Sequence, residues 1–356
     1  TKILDVKIEM LVPQLYISES INHFKPLQHI TLTTADSVTS TEACVLMRQP
    51  ATSTTPAFNN APMIQINFSS KELTSRTLDK IILDGGAENG VVCTDNNTEL
   101  IQCPSSDTGF TLNMGVEGQH SAEYPQVRNN RIFARDGAGV IDSAGVSIAG
   151  DFYMFHGSIH DCSVVAKESC SGVNCAAVYM RESSNFNMFD GSIFNNTVGS
   201  AQTTVYSAAI CALGHTSLGT SSAQTGIPKI YGNRVEEDSN TVYAGAIYVG
   251  DNLTLIRGEI YGNNYYQGSI LNTNVKSGAI YSDNAMLEID GVWSYQNGGQ
   301  VGAVFSSIIS SDPGVNGFSN AVIKQNLGID VGGWKYDCSS KLNDQNGVAI
   351  TGDVYM

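Results

Sequence analysis

The chain is poor in charge: Lys, Arg, Asp and Glu make up only 15% of its 356 residues, with 19 basic residues against 34 acidic ones. No basic run occurs anywhere. At a formal net charge of −15, nucleic acid and anionic membrane surfaces are poor partners. The acidity is spread along the chain, as suits an extended soluble surface. No apolar run is long enough to cross a bilayer. No stretch carries a helical apolar face with caps at both ends, which argues against a helical array. Sequence signatures of chemistry are missing too. There is no Cys-x-x-Cys or Cys/His zinc pattern, no Gly-x-Ser-x-Gly elbow and no phosphate-binding loop. No metal or cofactor is expected. Thr1 opens the chain with neither Met nor a signal sequence, which reads as a mature, processed form.

What is present is repetition. Six times the sequence returns to a phrase of small residues followed by a branched apolar residue: SAGVS (143–147), CAAVY (175–179), SAAIC (207–211), AGAIY (244–248), SGAIY (277–281) and VGAVF (301–305). Anchored on Val146, Val178, Ile210, Ile247, Ile280 and Val304, the gaps are 32, 32, 37, 33 and 24 residues. An elastic period of this size means stacked units that bury their faces on one another. Between anchors the chain is rich in Thr, Ser, Asn, Gly and Tyr, with short apolar runs such as Leu253–Ile256. These are strand signals bounded by turns. The expected fold is therefore all-β: a single right-handed parallel β-helix, with handedness following the preference of parallel crossovers.

A second phrase, [IV]-x-x-N, alternates with the first at VRNN (127–130), IFNN (193–196), IYGN (230–233), IYGN (260–263) and IKQN (323–326). Stacked coils would align Asn130, Asn196, Asn233, Asn263 and Asn326 as a ladder of amides at a corner, with Cys162 in the same slot of its coil. Gly157, Gly191, Gly258 and Gly291 recur just before this phrase, as at a tight bend. Alternating GGA[ILV]-like and FxxN-like phrases resemble those of the polymorphic outer-membrane protein adhesins. The resemblance covers roughly residues 125–330. It implies a right-handed β-helix, a cell-surface or extracellular setting and an adhesive role. Two departures stand out: the first Gly is usually Ala, Ser or Val, and Phe is usually Ile or Val.

The first hundred residues are less regular. Strand-like runs occur at residues 4–10, 30–33, 44–47, 63–68 and 80–83, without a linker that would divide domains. The expected organisation is an irregular β-rich cap or set of early coils over 1–110, β-helix repeats over 111–335, and a tail or final coil over 336–356. Solenoid ends are open sheet edges that invite pairing. The eight cysteines include two close pairs, Cys93 with Cys103 and Cys170 with Cys175. They are expected to form disulfides, with Cys44, Cys162, Cys211 and Cys338 unassigned. Sequons at Asn67, Asn96, Asn195 and Asn252 fit the same secreted setting and are candidate glycosylation sites.

Glycan-cleaving enzymes need paired carboxylates. The one run of adjacent acids, Glu236–Asp238, reads as a solvated loop, and no acidic cluster can be placed beside Arg181, Arg257 or Lys276. His156 and His160 flank a turn and read as structural or exposed rather than as ligands. Aromatics are the better clue to binding. Tyr179, Tyr248, Tyr281 and Phe305 share one repeat slot, and Phe194, Tyr231 and Tyr261 another. Facing inward, each ladder is core packing; facing outward, a binding strip. Tyr265 and Tyr266, in a loop, are candidate binding residues. The sequence thus points to a non-enzymatic surface protein for adhesion or recognition, with an extracellular protein or glycan as partner. Two alternatives stand beside it: a fibre, sheath or coat subunit joined through its ends, and a polysaccharide lyase or hydrolase.

Overall fold

Each repeat closes one coil of a parallel β-solenoid, seen here in a computed structural model. It describes residues 4–300 except 24–27, 39–42, 67–72, 106–108, 120–122, 201–202, 221–225, 237–240, 284–286 and 291. Beyond 300 it describes only the strand segments 304–306, 317–319, 322–324, 327–328, 349–351 and 354–355. The helical content of the described residues is one 3-10 turn, Ala87–Asn89. Three parallel sheets run the length of the stack, with ten, eleven and ten strands among the described residues. The strands at Leu4–Met10, Gln14–Ile17 and Ile21–His23 open the first, second and third sheets. The chain visits the sheets in that order, so every strand pairs with its counterpart one coil away. The strands before residue 110 feed these same sheets.

The repeat phrases mark the inward columns. On the third sheet Val146, Val178, Ile210, Ile247, Ile280 and Val304 stand in register. Val127, Ile159, Ile193, Ile230 and Ile260 do so on the second. The first sheet adds Leu78, Met114, Met154, Met188, Leu218 and Leu255. Together these columns form one continuous apolar core.

Coils from Gln126 onward bulge between the second and third sheets. Short strands such as Ser163–Ala166 and Gly172–Val173 build two small extra sheets. They enclose a second core that includes Ile132, Ile141, Val164, Val173, Val198, Val205, Val235, Val242 and Val275. Where this side lobe returns to the main one, successive backbones squeeze together, and the small-residue phrase sits at that waist. A Cβ on Gly245 would lie 2.3 Å from the Gly278 carbonyl oxygen.

The asparagine ladder lies at the opposite corner of the waist. The Nδ2 groups of Asn196, Asn233 and Asn263 donate to the Oδ1 atoms of Asn233, Asn263 and Asn297, each at 2.9 Å. The same amides donate to backbone carbonyls of the preceding coil, Ile159, Ile193 and Ile230. Asn297 belongs to this ladder, whereas Asn326 lies outside the described residues. The left-handed turn falls one residue earlier than the ladder itself, at Asn129, Asp161, Asn195, Gly232, Gly262 and Gln296. Each ladder side chain is thereby aimed inward.

Cys162 occupies the slot as expected. Its N–H donates to Asn196 Oδ1 and its thiol to the His160 carbonyl, the bond an asparagine makes through its amide. Cys162→Asn should therefore raise stability by about 1 kcal/mol, against the usual trend of core substitutions. A denaturation midpoint at or below that of the parent chain would show that the slot is shaped for sulfur.

Gly157 and Gly191 form the bend before the second sheet, with φ of 97° and 92°. A Cβ on Gly157 would lie 2.2 Å from the Pro125 carbonyl oxygen, so this turn requires glycine. Gly291 lies outside the described residues. In the first described coil Leu4, Ile8, Leu11, Val12, Leu15 and Tyr16 are exposed. Ile8 and Leu15 stand in register with the core residues Leu32 and Leu46.

Candidate functional site: an aromatic-ended groove on the first sheet

The outer face of the first sheet carries a polar column, Thr31, Thr77 and Asn113, in register on successive coils and continued by Tyr153. These residues floor an open groove of about 560 Å³. The segment Gly115–Glu117 forms one side, and Tyr153, Phe155 and Phe189 form the end wall. Phe155 and Phe189 follow equivalent strands of adjacent coils, so their rings stack at 5.3 Å. Tyr153 lies 6.4 Å from Phe189 with ring planes 2° apart. All three are half-buried.

The side wall is held by His156, buried beneath it. The Val116 N–H donates to His156 Nε2 at 3.2 Å, which leaves Nδ1–H to donate to the Tyr124 carbonyl at 2.5 Å. The ring fills the space above Gly115, where a Cβ would lie 2.5 Å from it. His156 is thus structural. His160 pairs with Asp161 at 2.7 Å and stacks on Phe194.

Sequence reasoning did not single out the three wall aromatics, yet their signal was present. FYMFHG (152–157) and FNMFDG (186–191) are the same phrase in adjacent coils. What the sequence did not reveal is that the loop after Met114 rises beside them.

The two aromatic ladders have different fates. Tyr179, Tyr248 and Tyr281 point away from the main core but are covered by Tyr206 and Tyr243 of the side lobe, forming a third small core. Lys276 closes this cluster, its ammonium 4.1 Å from the Tyr243 ring centroid. The side chain of Phe305 lies outside the description. Phe194, Tyr231 and Tyr261 are half-exposed and stack at 4.9 Å, face to face along the axis. Their faces are spent on one another, which makes the strip a stabilising ladder rather than a platform.

Tyr265 and Tyr266 form a two-residue hairpin with Ser269 and Ile270. Tyr266 is 61% exposed, with its hydroxyl accepting from Gln267 Nε2, and Tyr265 is half-buried. Neither lines the groove. Of the sequon residues, Asn195 is exposed in its left-handed turn, Asn96 and Asn252 are half-exposed, and Asn67 lies outside the described residues.

The disulfide expectation is corrected. Cys44, Cys93, Cys103, Cys162, Cys170, Cys175 and Cys211 are all free and buried. Cys93 and Cys103 are close in the chain but sit in different cores, Cys93 in the side lobe and Cys103 in the main one. Cys170 and Cys175 are divided likewise between the side lobe and the tyrosine cluster. Spacing in the chain was a poor guide because one coil crosses two cores. Burial raises the Cys162 thiol to about 12, far from a reactive thiolate.

The most perturbed carboxyl is Glu99. Complete burial drives it up to about 8, with its own backbone hydrogen bond, Arg181 and Arg48 opposing and Asp142 adding to the rise. Gln102 Nε2 donates to its Oε2 at 3.1 Å. Asp142 is pushed up by burial and held back by its ion pair with Arg181. Glu99 is fully buried and Asp142 partly so, and neither lines the groove. Among the described residues no cluster of His, Cys, Asp and Glu has the makings of a metal site, and no helix is long and apolar enough to cross a membrane.

The protein is a parallel β-solenoid with a side lobe at its waist and an aromatic-ended groove on one outer face. No family model, curated protein or solved structure matches the chain.

Proposed function

We propose that this is a non-enzymatic recognition protein of the cell surface or extracellular space, acting in the manner of the polymorphic outer-membrane adhesins its repeats resemble. The groove carries the reading. A concave site joining stacked aromatics to a row of hydroxyl and amide groups has the makeup of a ligand site. The enzyme alternative loses ground because the two carboxyls with raised pKa, Glu99 and Asp142, lie outside the groove. The expected result is saturable binding of the labelled full chain to intact cells or extracellular matrix, sharply reduced in Tyr153→Ala. Binding that ignores this substitution would remove the groove from the account.

A second reading, a subunit of a fibre or coat, is favoured by the apolar residues exposed in the first described coil. Electron microscopy over a concentration series separates the two. Filaments that Leu11→Asp and Leu15→Asp abolish support assembly, and isolated rods at every concentration reject it.

A further inference from the structure

We infer that the groove takes a linear, uncharged oligosaccharide, laid along the solenoid axis with its last ring against Tyr153, Phe155 and Phe189. The inference rests on reading the groove as the recognition surface. Its first support is the floor. Thr31, Thr77, Asn113 and Tyr153 occupy four successive coils, and neighbouring strands lie about 4.8 Å apart. Side-chain oxygens and nitrogens therefore recur on a regular rung for roughly 14 Å. One bond links them, Asn113 Nδ2 to Thr77 Oγ1 at 3.2 Å. Otherwise their side chains have no hydrogen-bond partner among the described residues. Such a surface calls for a ligand dense in hydroxyl groups at a comparable repeat.

The second support is that the groove lies on a sheet face. The four floor strands each have a neighbour above and below, so no free backbone edge is offered. An extended peptide could not add as a strand, the mode that gives such ligands most of their hydrogen bonds. The third is charge. The nine lining residues include one acid, Glu117, and no Lys, Arg or His. A uronate or sulfated sugar would find no counter-charge among those nine residues, and Lys7, the next rung beyond Thr31, is paired with Glu9, on a chain of net charge −15. The end wall is aromatic, three half-buried rings lying parallel to within 17°, and offers apolar contact to the C–H face of a pyranose ring while hydroxyls reach the floor.

The test is calorimetric titration of the full chain with cellohexaose, maltohexaose, N-acetylchitohexaose and hexagalacturonate. At least one neutral hexamer should bind, and hexagalacturonate should not. Tyr153→Ala should weaken binding by about tenfold, and Asn113→Ala or Tyr153→Phe by about threefold, with unchanged denaturation midpoints. Silence from all three neutral sugars overturns the inference, as does hexagalacturonate binding as tightly as any of them. If the sugars are silent while Tyr153-dependent adhesion to a matrix protein persists, the ligand class falls and the recognition reading stands. If that adhesion is absent as well, both fall.

Discussion

Asn233→Ala should lower stability by about 3–5 kcal/mol, the largest loss expected from any single ladder position. Asn233 is fully buried and serves three coils at once. Its Oδ1 accepts from the Asn196 backbone N–H and from Asn196 Nδ2. Its Nδ2 donates to the carbonyls of Ile193 and Tyr231 and to Asn263 Oδ1. Alanine leaves these groups in a waist too tight for water to replace the amide, and each buried orphan costs about 1–3 kcal/mol. Asn233→Asp should be worse, since it removes the donor and buries a charge. Asn185→Ala, at an exposed asparagine bonded to Asp151, should stay within about 0.5 kcal/mol. Denaturant unfolding of the three variants decides the matter. A loss below about 1 kcal/mol for Asn233→Ala would mean the ladder merely fills space.

Stability should also fall as pH rises from about 4.5 to about 8, through Glu99. Its carboxyl is held near 8 in the fold, against an ordinary value of 4.5. Below 4.5 both folded and unfolded chains keep the proton, and the group contributes nothing to the difference. Between the two values the unfolded chain ionises while the fold retains the proton. Unfolding then releases a proton, and stability drops by up to about 1.4 kcal/mol per pH unit. Above 8 the penalty is complete. Asp142, also pushed up by burial, acts in the same direction. Glu99→Gln should flatten most of the slope and raise stability at pH 8 by a few kcal/mol. Midpoints measured at pH 5, 6.5 and 8 test this. Identical slopes in parent and variant would place the titration elsewhere.

The coil-to-coil register was legible in the sequence because inward positions repeat chemically. Val146 through Val304 are all branched, and the ladder asparagines recur three residues after a branched partner, except Asn297, which follows Ser294 and so escaped the pattern. The side lobe was not legible. Its strands are as short as Gly172–Val173 and Thr204–Val205, and nothing in two residues distinguishes them from loop. That hidden lobe also misled the cysteine reading, since it places neighbours in sequence on opposite sides of a waist. The tyrosine ladder shows the same blindness. Tyr248 and Tyr281 were read as inward or outward, whereas they point outward and are buried by a lobe the sequence did not announce. For the groove, the phrase shared by Phe155 and Phe189 was visible, but the loop that makes it concave was not.

The stacking also bears on how the chain finds its fold. All-β proteins usually fold slowly because their strands pair across long stretches of chain. Here each strand pairs with the coil before it, 24 residues away for Leu4 and Gln28 and 46 for His29 and Ser75. Against 356 residues that is a relative separation of about 0.1, in the range of helical bundles. A finished coil offers the next one its register, its amide acceptor and its apolar column together. Growth from a nucleus therefore resembles crystal growth in one dimension: the first coils are slow to form, and those that follow are copied from the surface beneath them.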